Sequence, residues 1–363
     1  MSLSPFNTEN DIVENLKQTL ITSTWSNNTN DINVATNYTS SAQGGDTPGM
    51  SSPTSSGLFY IDVYNAATSS TTSEVQFSVA YGNHLGSGSP DFTNDIGSFG
   101  FGASRTIYNQ YRQLVFGDET QNFTFDKHTP DDIYVINIER ARFKHNLKPG
   151  TLNLKLLNAN VGTITDGDGA TISAGTLTLE LTDDSVFSTG SATITNLGRQ
   201  FNIVSGSNGQ AVGNRVNQVA ASSSYGLFYP DAGVIILNPD NFGGNLAAVK
   251  NTGTSTNTDL NHRKLYQAIS GAKHFIVDSQ EKVTSQFYFS RAKNNEFNYT
   301  TNPSFVDANG NVNINSFIDN PQTFITTVGL YNDNNDLVAV AKLSQPVTKD
   351  FTKEALIRVK LDY

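Results

Sequence analysis

The sequence predicts a mainly β protein with two or more antiparallel sandwich- or barrel-like domains, a few short helices and an extended N-terminal arm. Two observations carry this prediction. Short apolar segments alternate with small or polar residues, as at Val75, Phe77 and Val79 and again over residues 152–156. Clusters of Gly, Asn and Asp separate these segments, as turns between short strands require. With 363 residues, the chain is long enough for two or three separate cores.

The first segment, residues 1–57, is predicted to form a helix followed by a flexible arm. The helix is predicted from four apolar residues at helical spacing, with Asn7 or Thr8 as its cap: Ile12, Val13, Leu16 and Leu20. Residues 23–57 are mostly Ser, Thr, Asn, Gly and Pro, with few apolar anchors, among them Trp25. Two interpretations of a helix on such an arm remain open: it docks onto a neighbouring chain, or it is a frayed terminus.

Three β-rich segments are expected to follow the arm. They are residues 58–157 with one helix, residues 158–222 as an insertion or second domain, and residues 223–363 as the C-terminal domain. The C-terminal domain is predicted to contain a helix over residues 259–270 and a terminal hairpin. Asn332-Asp333-Asn334-Asn335 should form the hairpin turn, because Asn and Asp tolerate the left-handed backbone that a tight turn needs.

The composition argues against several classes of function. The chain has 23 Lys and Arg residues against 33 Asp and Glu residues, so its formal charge of −10 does not suit a nucleic-acid binder that relies on a basic surface. The absence of cysteine excludes disulfide scaffolds, thiol catalysis and Cys-ligated metals. No apolar run of about 18 residues occurs, so membrane insertion is not expected.

We assign no catalytic, cofactor-binding or metal-ligating residue from the sequence. The chain lacks a Gly-x-Ser-x-Gly element, a Walker loop and a His-Glu-x-x-His motif. Adjacent carboxylates such as Asp131 and Asp132 should point apart in a strand or turn, which makes them a poor acid–base pair. Asp/Asn clusters at residues 166–169, 307–313 and 333–336 resemble calcium loops, but the second departs from the EF-hand pattern and the third is better explained as a turn.

Two C-terminal stretches carry a family resemblance. Residues 285–305 form an aromatic, Asn-rich stretch, and residues 325–343 contain Val-Gly-Leu-Tyr, a short Asp/Asn turn and then Leu-Val-Ala-Val-Ala. Together with residues 358–363, they resemble virion structural proteins of T4-like contractile-tailed phages, especially marine cyanophages. The resemblance covers roughly the last eighty residues. It implies no catalytic residue.

The resemblance implies a non-enzymatic structural component of a contractile tail, in the first place a baseplate subunit. Such a protein would lie in the tail or baseplate of the virion, and in the host cytoplasm during assembly. Its partners would be other tail or baseplate proteins, and several copies would be present in each particle. The neutral, low-charge surface fits this role, because it forms large permanent interfaces without burying many ion pairs.

The residues expected at such interfaces lie in the N-terminal segment and in the C-terminal hairpin. They are Ile12, Val13, Leu16, Leu20, Trp25, Val328, Leu330, Tyr331, Val338 and Val340. The hairpin and the last strand, residues 323–362, are expected to form a docking or strand-addition surface. An alternative function is a host-receptor or carbohydrate-binding tail-fibre or adaptor module, which would use Tyr, Phe and Asn-rich loops such as residues 82–104.

Overall fold

The structure of the chain is a computed structural model. It describes residues 5–26, 39–40, 60–66, 71–88, 103–157, 164–165, 171–172, 178–186, 192–211, 224–243, 246–248, 250, 261–272, 274–299 and 303–362. Most of the predicted arm therefore lies outside the described residues.

The chain divides into two compact units, each described here by itself. Unit 1 consists of Met1–Thr19 and Lys282–Tyr363, and unit 2 consists of Leu20–Glu281. Strands dominate the described residues of both units, which confirms the predicted mainly β fold. Strands from all three β-rich segments predicted after the arm join one sheet in unit 2.

Unit 2 contains most of the strands and two of the helices. Its strands are β2 (Thr39–Ser40), β3 (Tyr60–Tyr64), β4 (Val75–Asn83), β5 (Asp132–Ile138), β6 (Asn146–Leu147), β7 (Asn153–Leu157), β8 (Ile164–Thr165), β9 (Thr171–Ile172), β10 (Thr178–Asp183), β11 (Thr193–Thr195), β12 (Gly198–Ser207), β13 (Gln210–Ala211), β14 (Gly226–Tyr229), β15 (Val234–Leu237) and β16 (Phe275–Ile276). Its helices are α1 (Ala103–Phe116) and α2 (Asn261–Ala272), and the latter confirms the helix predicted over residues 259–270.

The main sheet of unit 2 is antiparallel, with the order β16-β7-β10-β12-β14-β15-β5-β4-β3-β2. Both of its faces are buried. Along β5, Tyr134 and Ile136 belong to one hydrophobic cluster, whereas Ile133 and Val135 belong to a second. This division follows from the strand geometry, in which successive side chains point to opposite faces. The continuous apolar segment Val234–Leu237 is therefore a central strand with two buried faces.

One helix covers each face of this sheet. Leu265 and Ile269 of α2 belong to the first cluster, and Tyr108 of α1 belongs to the second. The approach of α1 depends on Gly82 in β4, because a Cβ atom at that position would lie 2.9 Å from the backbone nitrogen of Tyr108. A larger residue at position 82 would therefore push the helix away from the sheet.

Unit 1 contains two small sheets and one short helix. The strands are β1 (Ile12–Ser23), β17 (Asp278–Ala292), β18 (Thr323–Tyr331), β19 (Leu337–Lys349) and β20 (Ala355–Asp362), and the helix is α3 (Asn315–Asp319). Parts of β1 and β17 extend into unit 2. One sheet has the order β1-β17-β20, and the other consists of β18 and β19 alone.

The pair β18–β19 confirms the predicted terminal hairpin. Its turn is closed by the backbone hydrogen bond from Asn332 N to Asp336 O, at 3.0 Å. The Asn332 side chain accepts hydrogen bonds from the backbone N–H groups of Asn334 and Asp336. Asn335 has a φ of 65°, the left-handed conformation that Asn tolerates better than most residues. The turn therefore uses the left-handed backbone conformation that its Asn and Asp residues predict.

The predicted N-terminal helix is wrong, because residues 12–23 form strand β1. A helix-like turn does begin at the expected cap: Asn7 Oδ1 accepts from Glu9 N, and Asn7 O accepts from Asp11 N. The turn ends there, and Asp11 O instead accepts a hydrogen bond from Phe289 N of β17, at 2.7 Å. Pairing with β17 thus overrides a helical spacing that only a few apolar residues carried.

Trp25 offers a test of the packing of unit 2, because it lies in the core, whereas the sequence predicts it in the N-terminal arm. Its Nε1 donates to Phe275 O at 2.8 Å, and its ring packs against Phe275 and Phe77. We predict that Trp25→Phe lowers the free energy of unfolding by about 1–3 kcal/mol, through a smaller side chain and an unpaired carbonyl. Far-UV circular dichroism in urea measures the change.

Leu20→Ala is the control for this substitution, because the Leu20 side chain is 40% exposed. It should change the free energy of unfolding by less than about 0.5 kcal/mol. Equal stability of the Trp25→Phe and Leu20→Ala proteins would contradict a core role for Trp25.

Candidate functional site

Unit 1 leaves many large apolar side chains exposed. On the hairpin, Phe324, Val338 and Val340 are 62%, 69% and 57% exposed, and Leu337 and Val347 are also exposed. We call these five residues the hairpin surface. Phe297, Tyr299, Ile318, Phe351 and Leu356 are further exposed members of unit 1. Several large exposed apolar side chains on one hairpin make it a candidate interaction site in a folded protein.

The same unit has almost no core of its own. Among its described residues, the buried hydrophobic side chains are Ala292, Phe317, Leu330, Ala355 and Val359. The two hydrophobic core clusters found among the described residues consist entirely of unit 2 residues. The strands of unit 1 are therefore regular but poorly buried, and small hairpins need burial on a face to be stable in water.

A cleft of about 1940 Å³ lies within unit 1. Every residue of β18 lines it, together with the end of β17, part of β20 and residues 5–8 and 10–13 of the N-terminal segment. Phe6, Tyr288, Leu330 and Leu356 are among the apolar residues of its walls. The two sheets of the unit therefore border an open space where a larger domain would have interdigitated side chains.

The base of the hairpin is fixed by a buried lysine. Lys349 is fully buried at the end of β19, and its Nζ donates to Asn294 O at 3.0 Å, Asn298 Oδ1 at 2.8 Å and Asp350 O at 2.8 Å. These three acceptors satisfy all three donors of the ammonium group. Lys349 thus ties the hairpin to the connection that follows β17. Nothing in the sequence pattern indicated this residue.

The structure brings six of the ten sequence-predicted interface residues to the cleft. These six are Ile12, Val13, Val328, Leu330, Tyr331 and Val338. Val340 is not among the residues that line the cleft, but it is exposed and lies two residues after Val338 in β19. Leu16 lies in β1, but its side chain is outside the described residues. Leu20 and Trp25 belong to unit 2, where Leu20 is exposed and Trp25 is buried.

The sequence reasoning missed Phe324, the large aromatic residue of the hairpin surface. Phe324 alternates with Thr326 and Val328 along β18, so the three share one face of the strand. This alternation indicates from the sequence that the three residues share a face. It does not indicate whether that face is buried or exposed, because the same alternation also occurs in the core strands of unit 2.

The carboxylates considered for acid–base chemistry point apart, as predicted. The Asp131 side chain is exposed, whereas Asp132 is fully buried and accepts a hydrogen bond from the Tyr81 hydroxyl at 3.0 Å. Burial raises the pKa of the Asp132 carboxyl, and the Lys250 ammonium, 2.9 Å from Asp132 Oδ1, opposes that rise. Lys250 also contacts Asp240 at 3.0 Å, so this network ties the start of β5 to the segment after β15.

The calcium-like cluster at residues 307–313 forms a closed turn. Asp307 Oδ1 accepts from the backbone N–H groups of Asn309 and Asn311, and Oδ2 accepts from Asn311 Nδ2. These hydrogen bonds, with those from Asn311 foremost, hold the pKa of Asp307 below its usual range. Within the part of the chain that the structure describes, no three His, Asp or Glu side chains converge as metal ligands. Residues 166–169 lie outside that part.

Comparison with known proteins identified no relative. No family model, no curated protein and no solved structure was found to match the chain. None of the described helices is long and apolar enough to cross a membrane.

Lys349 offers a test of how the hairpin is held. We predict that Lys349→Met destabilises the chain by about 3 kcal/mol, because it leaves the buried acceptors around Nζ without donors. Lys342→Met is the matched control, since Lys342 is an exposed lysine of the same strand, and it should cost less than about 0.5 kcal/mol. Urea unfolding followed by circular dichroism measures both. Equal stability of the two variants would show that Lys349 does not anchor the hairpin.

Proposed function

We propose that this chain is a structural component of a phage contractile tail, in the first place a baseplate subunit, and that unit 1 docks onto neighbouring virion proteins. The observation that carries the proposal is the contrast within unit 1 between exposed and buried apolar side chains. Phe324, Val338 and Val340 are mostly exposed, and few apolar residues of the unit are buried. Burial of this surface against a neighbour would stabilise the assembly by about 25 cal/mol per Å² of apolar area.

The resemblance of the C-terminal residues to tail proteins supports the same unit as the docking element. Residues 285–305 and 325–343, which carry the resemblance, include about half of β17, the greater part of the hairpin and many of the residues that line the cleft. The neutral character of the hairpin surface also fits a permanent interface, because the cores of such interfaces are depleted in charge. We expect several copies in each particle, with other tail proteins as the partners.

The proposal predicts that the hairpin surface is needed for incorporation into the particle. In a phage that carries Val338→Lys and Val340→Lys, both side chains remain exposed in the free chain, so folding should be retained. Two lysines at the centre of an apolar interface would lose hydration on docking, which strongly disfavours assembly. Mass spectrometry of purified virions should then show at least a tenfold lower content of the chain, equivalent to about 1.4 kcal/mol.

Ile194→Lys is the matched control, because Ile194 is 72% exposed in unit 2. This variant should enter the particle normally. Absence of the unmodified chain from purified virions would refute the proposed function. Equal incorporation of both variants would refute the role of the hairpin surface.

The cleft favours one alternative, a carbohydrate-binding or host-receptor module. Its walls contain the aromatic residues Phe297, Tyr299 and Tyr331 beside Asn332 and Asn335. Aromatic rings with adjacent amides can contact the apolar face of a sugar and hydrogen-bond its hydroxyl groups. A glycan array with the purified chain distinguishes the two functions. Saturable glycan binding that Tyr299→Ala abolishes would favour the receptor-binding module.

A further inference from the structure

Over residues 324–330, the outer edge of β18 has no strand partner among the described residues. Among the described residues, β18 pairs with β19 alone. Alternate residues of an antiparallel strand direct their N–H and C=O groups to opposite sides, so one set of backbone groups in β18 points away from β19. Residues 324–330 of β18 all line the cleft, and no described strand pairs with their outer side.

The two strands of the hairpin differ in how their edges are protected. β19 carries Lys342 and Pro346, and both residues discourage pairing at a strand edge. The register also places the irregularities on β19: Thr327 and Ile325 pair with Lys342 and Val347, so residues 343–346 have a single residue, at position 326, opposite them. Such bulges twist an edge and hinder further pairing. Along β18 the strand runs without extra residues.

β18 also contains no charged residue and no proline. The other outer strands of unit 1 do contain charges, with Glu14 and Lys17 in β1 and Arg358 and Lys360 in β20. Natural proteins use such charges to prevent edge-to-edge association. β18 is therefore the unprotected edge among the described strands of this unit, which is the pattern expected of a strand that pairs with another polypeptide.

We propose that β18 pairs antiparallel with β18 of a second copy of this chain, about a two-fold axis at Thr327. In a two-fold pair each strand meets itself, so a charged residue near the axis would face its own copy. Thr327 avoids that repulsion. The register also sets Phe324 opposite the partner's Leu330 and Ile325 opposite the partner's Gly329. The Phe324 ring would then pack against the aliphatic Leu330 side chain. Ile325 would lie opposite Gly329, which has no side chain that could clash with it.

The pairing would join two hairpins into one four-stranded sheet. It would satisfy the outward backbone groups of both β18 strands and cover part of the 62% exposed Phe324 side chain. A two-fold contact uses the same surface on both copies and therefore closes at the dimer without forming a filament. This self-association goes beyond the proposed virion function, and it is tested on the purified chain alone.

Opposite charges at position 327 test the two-fold axis directly. Sedimentation of the full unmodified chain should show a dimer that dissociates on dilution. Thr327 is exposed, so Thr327→Lys and Thr327→Glu should fold normally. In each variant, like charges would face each other and weaken the dimer at least about tenfold. An equimolar mixture of the two variants should recover the dimer, because lysine would then face glutamate.

Ser344→Lys is the control, because Ser344 is exposed in the bulged part of β19. The substitution adds the same charge as Thr327→Lys, but away from the β18 edge. It should leave the dimer intact. The proposal is overturned if the unmodified chain is monomeric at its highest soluble concentration, if Thr327→Lys leaves its assembly unchanged, or if the mixture stays monomeric. Virion incorporation is a separate measurement, so failure here leaves the proposed function to its own test.

A cysteine substitution gives a second measurement of the same contact. The chain contains no cysteine, so a single Thr327→Cys variant can form a disulfide only between copies. Residues directly opposite in an antiparallel pair have Cα atoms about 4.5–5.5 Å apart, within the range of a disulfide. Mild oxidation should give a covalent dimer that a reductant reverses. Ser344→Cys should form no covalent dimer under the same conditions, and equal cross-linking of both variants would contradict the register.

Discussion

Within the part of the chain that the structure describes, the strands of unit 1 have too few apolar neighbours to bury their side chains. Hydrophobic burial is the main favourable contribution to folding, and it must exceed the conformational entropy lost when a strand is ordered. In unit 1, the exposed Phe324 and Val338 contrast with a buried set that includes only Leu330 among the long aliphatic side chains of the hairpin. The unit is held by backbone pairing and by the Lys349 anchor, and its remaining stabilisation is expected from another polypeptide.

Unit 2, in contrast, buries the apolar side chains of its strands within its own core. Strands β4, β5, β14 and β15 are buried on both faces, by α2 and the first hydrophobic cluster on one side and by α1 and the second on the other. The buried Asp132 is tolerated because Lys250 and the Tyr81 hydroxyl surround its carboxylate. Unit 2 can therefore remain folded by its own contacts, whereas we propose that unit 1 presents its strands to a neighbour. A well-buried unit 2 together with a poorly buried unit 1 is the arrangement expected if the protein joins other subunits, as we propose.

The sequence predicted the elements whose signal is local. The hairpin followed from Asn332–Asn335 between two alternating segments, and α2 followed from an amphipathic stretch. The N-terminal segment was mispredicted, because four apolar residues at helical spacing also fit a strand once β17 supplies its hydrogen bonds. The cleft, the burial of Trp25 and the role of Lys349 depend on contacts between residues far apart in the chain. No local pattern encodes such contacts.

The most direct measurement of the central claim, that unit 1 completes its burial against another chain, is hydrogen exchange in two states. Amide exchange would be followed by mass spectrometry for the purified chain at high dilution and for the same chain within the assembled particle. We expect peptides from β18 and β19 to exchange at least tenfold more slowly in the particle, while peptides from β5 and β15 exchange equally in both states. Equal exchange of the hairpin in the two states would contradict the claim.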